Sequence, residues 1–454
     1  MITPETASPR SAVAGIEWPA IAAPVGASLL ALQFQLDRSQ WWSPERLLEN
    51  QLQQLKKLIE HAVKKTDWYA ADPVWREIAN QQHPLTQDQL STLPILQRRD
   101  LQNQLPALTA TNLPKAHGQL IELATSGSTG TPLKGWETEL NQFFWGGFTL
   151  RNHLWHNHNF DGKFAAIRTR VGRQTLPNWG PAVSAAFTTG PAVTLGIDTP
   201  IGEQAAWLAD QQPDYLISHA SNLKALAHYS INYKTRLESL NAVISFGERP
   251  ADGLDDLIGT AWGARFEDIY SAEELGTIAL QCPDQPQNYH VMAEHLLVEL
   301  LDTHGKRCQP GAAGRVVVTA LHNFAMPLIR YELGDYARLG SQCTCGRGLP
   351  VLTEILGRAR NMITLPDGSQ HWPSFPAELW LAVAPIRQFQ LEQRKLDEIT
   401  AHYLLDRPLT RVEEKELAAR LTDSLRFPGT IVFRQHTRPL SQAGRKFEDF
   451  VSRL

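Results

Sequence analysis

Ten consecutive residues carry the sharpest chemical signal in the chain: Thr125-Ser126-Gly127-Ser128-Thr129-Gly130-Thr131-Pro132-Leu133-Lys134. The glycines let the backbone curl. Its N–H groups, together with the flanking hydroxyls, can then donate to the oxygens of a bound phosphate. Lys134 adds a compact positive charge at the end of the string. The spacing is not that of a Walker loop, because no Gly-Lys-Ser/Thr step opens a helix. An ordinary Ser/Gly/Thr turn is the plainer alternative. A second set of residues could hold a metal. Cys282, His290, Cys343 and Cys345 offer three thiols and one imidazole, a Cys₃His set that suits tetrahedral zinc. With all four positions filled by protein, such a zinc would be structural. Packed thiols beside a packed histidine are the other reading. Cys308 lies outside this set. His153, His156 and His158 are spaced three and then two apart, so they do not share one helical face. With Trp145 and Trp155 nearby they read as a packed helix end.

These residues need a scaffold. The 454 residues exceed one ordinary core and point to two or three domains. A content of 43% hydrophobic and 20% charged residues fits a globular chain. A net charge of −4 gives no reason to expect nucleic acid or an anionic membrane as partner. The N-terminus lacks a basic start followed by an apolar run, which argues against a secretory signal. The apolar stretch 21–36 is broken by Pro24 and Gly26 and is too short to span a bilayer. Four cysteines make no disulfide framework, and a cytoplasmic location is expected.

Residues 1–40 show no clear pattern. From Pro44 to Lys65, Leu47, Leu48, Leu52, Leu55, Leu58 and Ile59 recur at helical spacing, with Ser43 as the start signal. A short helix is predicted to begin near Gln97. The runs 163–170, 213–218 and 241–247 read as strands, with a helix-like stretch at 222–229 between them, so βαβ units are expected. Over 293–339, two strand-like runs separated by Gly305, Pro310, Gly311 and Gly314 predict a more antiparallel, β-rich subregion. After Gly357 the chain becomes a charged α+β tail, helical at 411–425 and strand-like at 430–435. A domain boundary is placed near 357–361.

The string 125–134 closely resembles the nucleotide-phosphate loop of the adenylate-forming superfamily, which includes acyl-CoA synthetases, adenylation domains and luciferases. Further segments follow in that family's order. Phe246-Gly247-Glu248-Arg249-Pro250 resembles the adenine-side segment of the phenylacetate–CoA ligase-like branch. Tyr270-Ser271-Ala272-Glu273-Glu274-Leu275-Gly276 resembles the Tyr-Gly-x-Thr-Glu element, with Ser271 replacing Gly and Glu273 replacing Thr. Arg330-Tyr331-Glu332-Leu333-Gly334-Asp335 is similar to the family's Tyr-Arg-Thr-Gly-Asp element. Gly357-Arg358-Ala359-Arg360 resembles the interdomain hinge, with Arg360 where an aspartate is usual. Gly444-Arg445-Lys446-Phe447 resembles the loop that carries the catalytic lysine, although Arg445 intervenes. The resemblance covers roughly residues 45–454.

The resemblance implies an α/β fold: a large multi-subdomain body over 1–357, with βαβ sheets and a β-rich subregion, and a small mobile α+β domain over 358–454. Thr125, Ser126, Gly127, Ser128, Thr129, Gly130 and Lys134 would cradle the phosphates of ATP. Gly247, Glu248, Arg249, Pro250, Tyr270 and Ser271 would border the adenine. Asp335 would accept from the ribose hydroxyls, and Arg358 would lie near the nucleotide. Glu274, with Thr129, would serve Mg²⁺. Lys446 would neutralise charge as a carboxylate attacks the α-phosphate. Some members of the branch carry a similar Cys/His pattern, which favours zinc. The implied reaction is AMP-forming activation of a carboxylic acid, with an inclination toward aromatic acids, followed by transfer to coenzyme A. Trp136, Phe143, Phe144 and Trp145 are candidates for an aromatic pocket or for core. A stand-alone adenylation enzyme that loads a carrier protein or forms an amide uses the same motifs. A catalytically silent nucleotide-binding homologue is supported by the departures at Ser271, Glu273 and Arg360. A homodimer is expected by analogy alone.

Overall fold

The computed structural model describes residues 9–124, 134–358, 361–373, 375, 377–438, 440 and 448–454. The chain divides into two compact units: residues 1–248 with 258–355, and residues 249–257 with 356–454.

In the large unit the helix Pro44–Lys65 follows the rule that the sequence set. Ser43 accepts from the Arg46 amide at 3.3 Å, and proline occupies the first turn. Leu47, Leu52, Leu55, Leu58 and Ile59 are buried along one face. From Leu52 onward this stripe packs into a core shared with Tyr69, Trp75, Val316, Val318, Ile329 and Tyr331. Full burial of each such leucine stabilises by roughly 1.5–3 kcal/mol. The short helix Arg98–Asn103 starts just after Gln97, as expected.

A helix that the sequence did not announce spans Pro24–Ser39. Its N-cap residue Ala23 makes no capping bond, and its buried stripe contains Gly26 and Gln33 while Val25 and Phe34 face outward. The usual start signal and apolar period are both blurred. Gly26 is there because a Cβ at that position would lie 2.0 Å from the Ala185 carbonyl oxygen.

The first two strands, β1 (Leu120–Ala124) and β2 (Lys134–Thr138), pair antiparallel with Ala124 opposite Lys134. The main sheet has twelve strands. In chain order they are β3 (Phe164–Arg168), β4 (Gln174–Leu176), β5 (Ala192–Gly196), β6 (Tyr215–Ser218), β7 (Ala242–Phe246), β8 (Arg265–Ala272), β9 (Gly276–Gln281), β10 (Tyr289–Val291), β11 (Leu296–Leu301), β12 (Ala313–Ala320), β13 (Tyr331–Leu339) and β14 (Val351–Arg358). Their spatial order is β11-β12-β13-β14-β10-β9-β8-β7-β6-β3-β5-β4. The pairs β5–β3, β3–β6, β6–β7 and β7–β8 are parallel. The helices Ile201–Gln211, Ala220–Tyr233 and Leu254–Trp262 connect strands of this half. The expected βαβ units are therefore present, and their strands are apolar along nearly their whole length because both faces are covered. Beyond β8 the pairing turns antiparallel: β8–β9, β9–β10, β10–β14, β11–β12 and β12–β13. This is the β-rich subregion read from 293–339.

The small unit carries a four-stranded sheet in the order Thr430–His436, Glu398–Leu404, Gln388–Lys395, Phe450–Ser452. The helix Arg411–Leu425 opens with a capping box between Thr410 and Glu413. It buries Leu417, Leu421 and Leu425 in one core with Leu391, Ile399, Ala401 and Trp380.

Candidate active site and cysteine–histidine cluster

In open α/β sheets, ligands bind outside the carboxyl ends of the strands. The nucleotide motifs fall at such ends. Strand β7 stops at Phe246, and Gly247 turns the chain at φ +73°. Glu248 then accepts from the Ser221 amide at 2.9 Å, at the start of the helix Ala220–Tyr233. Strand β8 ends through a register shift at Tyr270/Ser271, with Ser271 opposite Thr277. Tyr270 reaches β13, where its hydroxyl donates to Asp335 Oδ2 at 2.9 Å. Asp335 follows Gly334, which adopts φ +88°. Glu274 is buried and accepts from the Tyr331 hydroxyl at 3.3 Å. Arg98 stands 3.6 Å from the same carboxylate. Burial, and then the charge of Glu274, push the Tyr331 hydroxyl well above its usual range.

Tyr270 and Ser271 at the end of β8, Glu274 in the turn to β9 and Asp335 on β13 thus all belong to the large unit, with Tyr270 bonded directly to Asp335. Lys134 begins β2, is mostly exposed and pairs with Glu122 at 3.4 Å. Thr125, Ser126, Gly127, Ser128, Gly130 and Thr129 lie outside the described residues, as does Lys446. In the small unit Arg249 pairs with Asp252 at 2.9 Å, Pro250 follows it, and Arg358 ends β14. Of the four aromatic candidates, Trp136, Phe143 and Phe144 pack against cores, whereas Trp145 stands over Gly276 beside Glu274. Sequence reasoning missed Arg98, because nothing in LQRRDLQ ties an arginine to a carboxylate 176 positions later.

Cys282 follows β9, His290 lies within β10, and Cys343 and Cys345 lie in the turn before β14. Because β10 pairs with both β9 and β14, the four ligand atoms meet within 4.8 Å of one another. Cys282 and Cys343 sulfurs are 3.9 Å apart, and Cys345 Sγ is 3.3 Å from His290 Nε2. A tetrahedral zinc with bonds of about 2.3 Å to sulfur requires sulfur–sulfur edges of about 3.8 Å. Asn288 donates to Cys343 Sγ at 3.2 Å and the Arg347 amide to Cys345 Sγ at 3.5 Å, as partners that orient ligands do. Burial pushes the Cys282 thiol up to about 12 and the His290 imidazole down to about 4. Cys308 sits apart, contacting the Ala313 carbonyl.

His153, His156 and His158 form a second buried group at the end of the helix Glu139–Trp155. His153 Nδ1 meets His158 Nδ1 at 2.8 Å, and His158 Nε2 meets Glu267 at 2.8 Å. His156 Nδ1 is bonded to the Asn152 carbonyl at 3.0 Å.

No family model matches the chain. It is 28% identical over 181 residues to a phenylacetate–coenzyme A ligase of Thermus thermophilus, a match spanning 38% of this chain and 40% of that protein. It is 24% identical over 433 residues to the phenylacetate–coenzyme A ligase of Escherichia coli, covering 86% and 88%. Among solved structures it is similar to a 2-hydroxyisobutyryl-CoA ligase in complex with its acyl-AMP: TM-score 0.69, 16% identity, 88% of each chain covered. An anthranilate–CoA ligase with anthranoyl-AMP gives a TM-score of 0.53 at 15% identity, over 72% of this chain and 64% of that one. The chain has the fold of the adenylate-forming enzymes. Its sequence is similar to phenylacetate–coenzyme A ligases. Among the described residues no helix is long and apolar enough to cross a membrane.

Proposed function

We propose that the protein is an ATP-dependent, AMP-forming ligase that activates a carboxylic acid and passes the acyl group to the thiol of coenzyme A. One observation carries this reading most directly: Tyr270, hydrogen-bonded to Asp335, and Glu274 are assembled at the carboxyl end of β8. In the first step a carboxylate oxygen attacks the α-phosphorus and pyrophosphate leaves. In the second a thiolate attacks the acyl carbon and AMP leaves. Tyr270 stacks on adenine and Asp335 accepts from the ribose hydroxyls. The loop 125–134 donates to the phosphates, and Lys446 neutralises charge at the α-phosphate. Glu274, with Thr129, offers the hard oxygens that Mg²⁺ takes, and Mg²⁺ would supply charge neutralisation on the departing pyrophosphate. Cys282, His290, Cys343 and Cys345 match the donor set and spacing of structural zinc and stand apart from the chemistry.

Pyrophosphate exchange over a panel of acids tests the first step. Exchange with no acid in the panel removes the reading. Lys446→Ala is expected to lower exchange by about 10²–10³-fold, the scale of losing one charge-stabilising group. Single-turnover assays with coenzyme A, a carrier-protein thiol and simple amines identify the acceptor.

A further inference from the structure

The connection from β3 to β4 carries three arginines, Arg168, Arg170 and Arg173, on a chain whose net charge is −4. All three are exposed, and among the described residues none of them forms an ion pair or a side-chain hydrogen bond. Like charges held in one turn repel one another. The turn is nevertheless fixed at both ends. β3 and β4 flank β5, so residues 169–173 arch over the carboxyl end of β5. The Ile197 amide donates to the Arg168 carbonyl at 3.2 Å, and the Thr194 hydroxyl donates to the Gly172 carbonyl at 2.7 Å. A Cβ on Gly196 would lie 3.2 Å from the Val171 carbonyl oxygen, so glycine there lets the arch close down. Arg170 adopts φ +60°, a left-handed conformation in which glycine or asparagine is the commoner residue. Asp198, beside Gly196, forms no ion pair with the arginines.

The register of the parallel strands says what lies beside this arch. Ile167 pairs with Ser218, Ser218 with Ser245, and Ser245 with Asp268. Arg168 is thus level with Phe246 and Ile269, and Tyr270 follows directly. Three strand spacings separate β3 from β8, about 15 Å in all. The arch therefore stands on the carboxyl edge that carries the nucleotide motifs, where open α/β sheets bind ligands, but to one side of them. Guanidinium forks match the paired oxygens of phosphate and carboxylate. In the reading above the phosphates of ATP are held by the loop 125–134, so the anion at the arch belongs to another substrate.

We propose that the arch 168–173 is an anion subsite, which takes a phosphate or carboxylate group carried by a substrate other than ATP and remote from the reacting carbon. The inference rests on the acid-activating reading above. Two substrates of that reading bring such a group: coenzyme A, through the phosphates beyond its pantetheine arm, and an acid with a second acidic group. Arg168, Arg170 and Arg173 recognise the same chemistry in either.

Two sets of ligands test it and distinguish the sources. The first is coenzyme A, dephospho-coenzyme A, phosphopantetheine and pantetheine, titrated by calorimetry and assayed as acceptors. The second is monocarboxylic acids against dicarboxylic and phosphorylated acids of matched length, compared by pyrophosphate exchange. The expected result is a gain of about tenfold or more, in affinity or kcat/KM, at the step where a charged group is added in one of the two sets. The triple variant Arg168→Gln/Arg170→Gln/Arg173→Gln is expected to abolish that gain through Kd or KM rather than kcat, and the corresponding lysine triple to keep part of it. Added salt should erode the gain in the wild type and have little left to erode in the glutamine variant. Thermal melting confirms that both variants fold. No gain in either set, or a gain that the glutamine triple retains, overturns the proposal and leaves acid activation standing. Absence of exchange with every acid removes the underlying reading instead, and the coenzyme A titration then still decides on the arch.

Discussion

The large unit contains two buried histidine clusters that differ in what their donor atoms face. In the group of His153, His156, His158 and Glu267 ring nitrogens face one another, a carboxylate and a backbone carbonyl, while Glu267 Oε2 is buried with no hydrogen-bond partner among the described residues. In the group of Cys282, His290, Cys343 and Cys345 the ligand atoms converge on a common centre within 4.8 Å. Burial is similar in both, so burial does not distinguish a metal site from a packed polar core. The direction of the lone pairs does. A cluster whose ring nitrogens point at one another offers an ion no common centre. A cluster of thiols, which are poor partners for each other, gains most from one.

The contrast breaks most decisively at the thiols. Cys343→Ser is expected to lower bound zinc from about one ion per chain to below about a tenth, and to destabilise the β9–β10–β14 region by several kcal/mol, because binding energy of such sites is folding energy. Metal analysis of the purified protein and calorimetry check both. A wild-type chain without zinc, equally stable in chelator, erases the distinction between the clusters.

His158→Ala is the complementary change. It removes the imidazole that meets both His153 and Glu267, leaving a buried carboxylate without its closest partner. Loss of about 1.5–3 kcal/mol, the scale of a hydrogen bond to a charged group, is expected from urea melts, with zinc content unchanged. A fall in zinc would mean that the two clusters are coupled.

The smallest effect is in pH. Burial, first of all, holds His153 far below the ordinary histidine range and brings His158 to about 3. Both stay neutral in the fold but take up protons in the unfolded chain below about pH 6.5. The unfolded state then binds more protons, and stability declines as pH falls from about 6.5 toward 5. Burial raises Glu267, which acts in the opposite sense, its penalty growing as pH rises through the ordinary carboxylate range near 4.5. Asp268, which burial brings to about 7, opposes the histidines in the same sense as Glu267, and the decline is the net of the two. Denaturation midpoints across this window should fall, and should fall less steeply in a His153→Leu/His158→Leu double variant, in which His295 and His322, lowered by burial to about 4 and about 3, still act.

The strongest sequence signals became structure almost residue for residue. The helices Pro44–Lys65 and Arg411–Leu425 match their apolar periods and caps, because Ser43 and Thr410 supply the bonds that their residue types promise. The helix Pro24–Ser39 was illegible because glycine and glutamine interrupt its buried stripe. The cysteines and His290 could be named from the sequence, but their convergence depends on β10 lying between β9 and β14, a pairing no local pattern encodes.

Strand β8 is bonded in parallel to β7 and in antiparallel to β9. It is where the central parallel run of the main sheet meets its antiparallel half. Separating the body at that seam would leave β8 and β9 each with a row of unpaired backbone groups, a template for intermolecular strand addition. The catalytic body is accordingly not divisible into a parallel and an antiparallel module, however distinct the two look in the sequence. Fragments cut between Ala272 and Gly276 should be recovered as aggregates when expressed apart, and regain solubility only when produced together.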